Sequence, residues 1–189
     1  MACRGHHTGY DEGMSHSLLL VQVPEVDRAL RPRPKHSLEY LYPDREGTAA
    51  HITLLDPFAD LDGIDAGLLS ELQSFFAEVL PFAFALVPAA RPGDGGTTLS
   101  VEPAAPFRQL RLALGKRFPE FARFGGGQSA EVLLHVSEPI SERGDMDRLG
   151  RDLARRLPIS AHAREASLCW RERGRSRILA TFVFGTTAA

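Results

Sequence analysis

One order of segments occurs twice in this chain, and it constrains the fold more than any other feature of the sequence. A strand-like apolar run is followed by a loop with a proline, a segment with helical spacing, a second proline and two further strand-like runs. The first copy opens at His51 and the second in the run that contains His135. In each copy a hydroxyl residue follows two positions after the histidine. This duplication predicts two similar lobes related by a pseudo-twofold axis.

The first copy begins with the apolar run 51–55 and continues to about residue 101. After a helix, residues 82–87 and 98–101 read as a strand pair joined by the glycine-rich turn 93–96. Apolar residues recur along the predicted helix at spacings of one, three and four, as expected for a face turned toward a core: Leu68, Leu69, Leu72, Phe75, Phe76 and Val79.

The second copy begins with the run 132–136. Helical spacing follows at Met146, Leu149, Leu153 and Leu157, and Pro158 ends that helix. Residues 159–164 alternate between apolar and polar side chains, the period of a half-buried strand, and residues 168–170 are predicted to continue this strand. The last strand is predicted over residues 178–184.

Outside the two copies, residues 1–15 have no periodicity and are predicted to be a disordered leader. Residues 17–23 read as a strand, and residues 106–117 as a helix with Phe107, Leu110 and Leu114 on one face. The fold expected for residues 16–189 is one two-lobed α+β domain. Antiparallel sheets would line a central cleft, with the helices outside.

The two His-x-hydroxyl pairs carry the chemistry. On a strand, residues i and i+2 point to the same face, so His51 projects beside Thr53 and His135 beside Ser137. Two imidazoles on neighbouring strands could act as acid and base on opposite sides of a phosphate, and the hydroxyls could donate hydrogen bonds to its non-bridging oxygens. Nothing in this scheme requires a metal ion.

Composition limits the kinds of partner and cellular location that are expected for this protein. The chain has 189 residues and a formal net charge of −2, without the basic excess typical of proteins that bind long tracts of nucleic acid. A nucleotide or a single RNA terminus is the more plausible partner, and no obligate protein partner is evident. No apolar run is long enough to span a membrane, and two distant cysteines suggest no disulfide framework, which favours a cytoplasmic location.

The first motif, Ala50-His-Ile-Thr-Leu-Leu-Asp-Pro-Phe58, closely resembles that of the two-histidine phosphoesterases, which include 2′-5′ RNA ligase-like proteins and cyclic phosphodiesterases. Leu134-His-Val-Ser137 resembles their second motif, in which the family usually has proline before the histidine and threonine two positions after it. The element order is similar from about residue 17 to residue 185, including the helix start Pro106-Phe-Arg108.

The resemblance implies a bilobal α+β protein that hydrolyses 2′,3′-cyclic or related phosphodiesters of nucleotides and RNA ends, or joins RNA ends through a 2′-5′ linkage. It implies no metal and no cofactor. His51 and His135 would be the general acid and base, with the roles set by the direction of the reaction. Thr53 and Ser137 would bind the phosphate.

Three further residues are candidate substrate contacts. Phe58 could stack on a base or pack in the core. Arg108 and Arg111 lie one helical turn apart and could bind a phosphate, or could belong to a solvated helix face.

Two other functions compete with a phosphodiesterase. A binding module could hold a nucleotide or RNA end in the same cleft without turnover, and the departures at Leu134 and Ser137 favour it. A metal-dependent hydrolase would need carboxylates or more histidines near the motifs. Asp56, the nearest carboxylate, has an odd offset from His51 and is predicted to lie on the opposite strand face.

Overall fold

The structure is a computed structural model that describes residues 15–29, 50–88, 97–122, 132–136, 151–172 and 175–185. Several predicted features lie outside these residues. They are the leader up to residue 14, the turn 93–96, and Ser137 with the following loop.

Within the described residues, eight strands form one antiparallel array in the order β6-β3-β4-β5-β2-β1-β7-β8. The array divides into two four-stranded halves, which meet where β2 pairs with β5. Together with the helices below, it confirms the predicted α+β class. The strands are β1 (His16–Gln22), β2 (Ala50–Leu55), β3 (Phe82–Pro88), β4 (Thr97–Glu102), β5 (Leu133–Val136), β6 (Ile159–Ala163), β7 (Glu165–Glu172) and β8 (Arg175–Val183).

The helices among the described residues include α1 (Pro24–Ala29), α2 (Ala66–Ala77), α3 (Ala105–Arg117) and α4 (Pro119–Ala122). Residues 151–154 are also helical, which places the described part of the predicted second-copy helix. The sequence predicted α2 and α3 but not α1 or α4, which are too short to show an apolar period. Within the described ranges, no helix is long and apolar enough to cross a membrane.

Each half of the sheet combines strands from both copies. The β3–β4 hairpin follows the first motif in sequence, yet β4 pairs with β5, the strand of the second motif. The β7–β8 hairpin follows the second motif, yet β7 pairs with β1, which in turn pairs with the first-motif strand β2. Because of this exchange, neither copy holds a complete half of the sheet.

The prediction that residues 168–170 continue the strand of residues 159–164 is wrong. β6 lies at one edge of the sheet beside β3, whereas β7 lies in the other half between β1 and β8. The reason is visible in the burial pattern, since Arg164 and Glu165 are both exposed and break the period of two. The chain leaves one half there and enters the other.

Helix α2 covers the half that contains β8. Its first turn is capped by Asp65, whose carboxylate accepts a hydrogen bond of 2.7 Å from the Leu68 amide, as a good N-cap does. Leu72 and Phe76 are fully buried on its inner face. Phe76 stacks on two rings from the end of the chain, with centroids 5.5 Å from Phe182 and 5.6 Å from Phe184.

Candidate functional site

Strand β2 has an apolar face that is turned toward the core and an opposite face that carries the histidine and threonine of the first motif. Ala50, Ile52 and Leu54 are buried in the main hydrophobic core, which also contains the inner faces of α2 and α3. His51 and Thr53 alternate with them and therefore lie on the other face of the sheet. His51 is buried, with 3% of its surface exposed, and Thr53 is half-buried.

The two motif histidines occupy facing positions on hydrogen-bonded strands. His51 lies directly opposite His135 in the β2–β5 ladder. The row continues outward on both sides, because Gln22 of β1 lies opposite His51 and Thr98 of β4 lies opposite His135. Facing residues of an antiparallel pair have Cα atoms about 4.5–5.5 Å apart, so four strands bring these positions together.

Ser137, the fourth motif residue, lies outside the described residues, one position beyond the end of β5. Its role as a phosphate donor stays a prediction. Thr53 is the hydroxyl that the structure places, two residues from His51 on the same strand face.

Phe58 is a core residue. Only 3% of its surface is exposed, and its ring packs against Phe118 with a centroid distance of 5.9 Å and against Phe121 at 4.6 Å. A ring enclosed in this way has no open face on which a base could stack. Of its two interpretations, the structure therefore supports core packing.

The two candidate arginines of α3 differ in their surroundings. Arg108 is exposed, and its contact with substrate stays a prediction. Arg111 is half-buried, and its guanidinium donates from Nε at 3.1 Å and from Nη2 at 2.6 Å to the backbone carbonyl of Thr53. Its partner is thus the motif strand itself.

A polar pair beside His51 was missed by the sequence analysis. The Gln22 amide donates a hydrogen bond of 3.0 Å to the hydroxyl of Ser167 on β7, and Ser167 is fully buried. Gln22 faces His51 across the ladder and is half-buried. In the sequence, Gln22 stands out only as a polar residue near the end of the apolar run 18–23. That it lies beside His51 follows from the strand order, which the sequence does not show.

Asp56 is engaged away from the two histidines. Its carboxylate lies 2.8 Å from His16 Nε2 and 3.6 Å from Arg171. Across the ranges that the structure describes, no three histidine, cysteine or carboxylate side chains cluster closely enough to hold a metal ion.

The environment of Cys169 makes its thiol a poor nucleophile. It is buried, and burial raises the pKa of its thiol to about 11, against a smaller opposing effect of Arg171. The thiol is therefore protonated at pH 8, and the thiolate is the reactive form.

In a Cys3→Ser variant, we expect labelling of Cys169 by a disulfide reagent at pH 8 to be at least about a hundredfold slower in the folded protein than in denaturant. Equal rates in the two states would show that Cys169 is accessible.

The arrangement fits the kinds of group that a reaction at phosphorus uses. Two facing imidazole positions, with a threonine hydroxyl on the same strand face, provide groups for two proton transfers and for holding an anion. Helices α2 and α3 pack on the opposite, apolar face, where their buried side chains join the core.

Comparison with known proteins agrees with this fold. The family model of the 2′-5′ RNA ligase superfamily matches residues 24–175. A crystal structure of E. coli LigT complexed with 3′-AMP is similar, with a TM-score of 0.52 and 14% identity, over 90% of this chain and 98% of that one. A crystal structure described as a phosphoesterase has a TM-score of 0.50 at 14% identity, over 90% and 98% of the two chains. No curated protein sequence matches the chain.

The similarity to solved structures is one of fold, since the identity is low. The family match covers most of the chain, including both motif strands, the β3–β4 hairpin and strands β6 and β7. The chain therefore belongs to the 2′-5′ RNA ligase superfamily, the two-histidine phosphoesterases.

Proposed function

We propose that the chain is a metal-independent phosphodiesterase that opens 2′,3′-cyclic phosphates of nucleotides or RNA ends, with His51 and His135 as its general acid and base. The observation that carries the proposal is the register of β2 against β5, in which the two histidines face each other. Membership of the superfamily gives it independent support.

In hydrolysis, one imidazole removes a proton from water as its oxygen attacks phosphorus. The other, protonated imidazole donates its proton to the ribose oxygen as the P–O bond breaks. The product is a phosphomonoester with one free ribose hydroxyl, and each histidine ends in the protonation state that the other began with. If the 5′-hydroxyl of a second RNA end attacks phosphorus in place of water, the P–O bond to the 3′-oxygen breaks, the protonated imidazole donates its proton to that oxygen, and a 2′-5′ linkage forms.

Four other candidate residues have defined tasks in this proposal. Thr53 and Ser137 donate hydrogen bonds to the non-bridging oxygens, where charge develops in the transition state. Gln22, which Ser167 holds beside His51, contacts the substrate group on the His51 side. Arg108, exposed on α3, offers positive charge to the phosphates of an RNA end.

The proposal is tested by turnover of a panel of nucleoside 2′,3′-cyclic phosphates, with and without EDTA. We expect hydrolysis that EDTA leaves unchanged and that a His135→Ala variant lowers by about 10²–10⁴-fold, the usual contribution of a general acid or base. Loss of turnover in EDTA, restored by added metal, would instead indicate a metal-dependent hydrolase.

A nucleotide-binding module is the other outcome that the panel identifies. Such a protein would bind a nucleoside monophosphate without turning over any member of the panel, and His135→Ala would change only its affinity. The leucine and serine of the second motif, Leu134 and Ser137, would then be the residues to change, to proline and threonine.

A further inference from the structure

The guanidinium of Arg111 forms a forked contact with the strand of the first motif. Nε and Nη2 donate to one acceptor, the carbonyl oxygen of Thr53, at 3.1 and 2.6 Å. The side chain is half-buried, and burial lowers the pKa of the guanidinium, which nevertheless stays protonated at neutral pH. A desolvated charge of this kind is costly unless it makes hydrogen bonds with good geometry.

The Thr53 carbonyl lies where the regular ladders of β2 are interrupted. The pairs between β2 and β5 run over residues 50–52 of β2. On the other side, the β1–β2 register shifts between Leu20, the partner of Thr53, and Leu19, the partner of Leu55. An irregularity of this type re-aims the local backbone and leaves a residue out of the normal pairing. At this irregular point Arg111, a donor from outside the sheet, meets the Thr53 carbonyl and restrains its peptide plane.

Helix α3 is itself firmly placed. Phe107, Leu110 and Leu114 are buried at spacings of three and four on its inner face, within the main core. Arg111 follows Leu110 and projects from the flank of that face. The helix thus provides a rigid base from which the guanidinium reaches the strand.

We infer that Arg111 is a positioning residue that fixes the backbone at Thr53, and through it the directions of the Thr53 hydroxyl and the His51 imidazole. This inference rests on the proposed function, in which those two groups act on the phosphate. A misplacement of about 1 Å by a change away from the reacting atoms lowers rates by roughly a hundredfold. Lysine offers one compact ammonium and no planar fork, so it replaces the contact only in part.

The test compares Arg111→Ala, Arg111→Lys and wild type with a nucleoside 2′,3′-cyclic phosphate as substrate. We expect kcat to fall by about 10–100-fold in Arg111→Ala while KM changes less than about threefold, with Arg111→Lys between the two. Guanidinium chloride at low millimolar concentration should restore part of kcat in Arg111→Ala, whereas sodium chloride at equal ionic strength should not.

Arg117→Ala is the matched control. It removes an arginine from the last turn of the same helix, where the side chain is exposed and pairs with Glu71 at 2.7 Å. We expect its kcat to stay within about twofold of wild type. Urea unfolding of every variant corrects the rates for the folded fraction. The inference is overturned if the corrected kcat of Arg111→Ala equals that of Arg117→Ala, or if KM rises in place of a fall in kcat.

Failure of the proposed function has a different signature. If wild type turns over no cyclic phosphate, the same variants are compared by their affinity for 3′-AMP, measured by calorimetry. Positioning by Arg111 then predicts an affinity at least about fivefold weaker in Arg111→Ala than in Arg117→Ala. Equal affinities would contradict the role of Arg111, whatever the reaction.

Discussion

Replacement of His51 by alanine is expected to lower kcat/KM for a nucleoside 2′,3′-cyclic phosphate by about 10²–10⁴-fold, with the folded state retained. The size follows from the loss of one of two proton-transfer groups, each of which contributes about that factor. His51 lies opposite His135 in the β2–β5 register, so its replacement leaves one imidazole of the facing pair to serve two proton transfers. The rate is measured under substrate-limited conditions, where kcat/KM reports transition-state stabilisation relative to the free protein and substrate.

His162→Ala is the control for this variant. His162 is an exposed histidine on a strand of the same sheet, but β6 lies at the edge, three strands beyond β5. Its replacement should leave kcat/KM within about twofold, as is usual for an exposed side chain away from the reacting atoms. A loss of less than about tenfold in His51→Ala, or equal losses in both variants, would contradict general acid or base catalysis by His51.

The double variant separates a catalytic pair from two independent residues. If His51 and His135 act on one phosphate, removal of both should cost little more than removal of either, because catalytic residues that act as a unit are strongly non-additive. A loss equal to the product of the two single losses would indicate independent contributions. The facing register of the two positions is what makes the first outcome the expected one.

The buried faces of single strands and helices were predictable because the spacing of apolar residues along each segment indicates them. The alternation along residues 50–55 places His51 and Thr53 on one face, and the structure agrees. The helical spacing of residues 68–79 and the face of Phe107, Leu110 and Leu114 also correspond to observed buried residues. In each case the period of apolar residues reports which side of an element meets the core.

The pairing of strands was not predictable in the same way. The duplicated order predicted two lobes but not which strands complete each of them, and each motif strand lies in the half completed by the other copy's hairpin. Choice of partner depends on contacts between residues far apart in sequence, which no local period records. For the same reason, Arg111 reads from sequence as a phosphate ligand or as part of a solvated helix face, and Gln22 as an ordinary strand residue. Their partners Thr53 and Ser167 are 58 and 145 positions away.

The second large effect concerns the core that supports the site. Phe76→Ala is expected to lower the free energy of unfolding by about 3–5 kcal/mol, the usual cost of removing a buried phenylalanine side chain. Phe76 is fully buried and stacks on Phe182 and Phe184, so its loss leaves a cavity between α2 and the end of β8. Since whole domains are stable by about 5–15 kcal/mol, this variant should unfold at a much lower urea concentration.

Leu80→Ala is the control, because 79% of the Leu80 surface is exposed just after the same helix. It should change the free energy of unfolding by no more than about 0.5 kcal/mol. Activity measurements distinguish a loss of stability from a loss of catalysis. At temperatures where Phe76→Ala is folded, its kcat should stay close to that of wild type, because α2 packs on the face of the sheet opposite His51. A large fall in kcat per folded molecule would show that the position of α2 controls the catalytic face. A destabilisation below about 1 kcal/mol would show that the three stacked rings do not form a packed core.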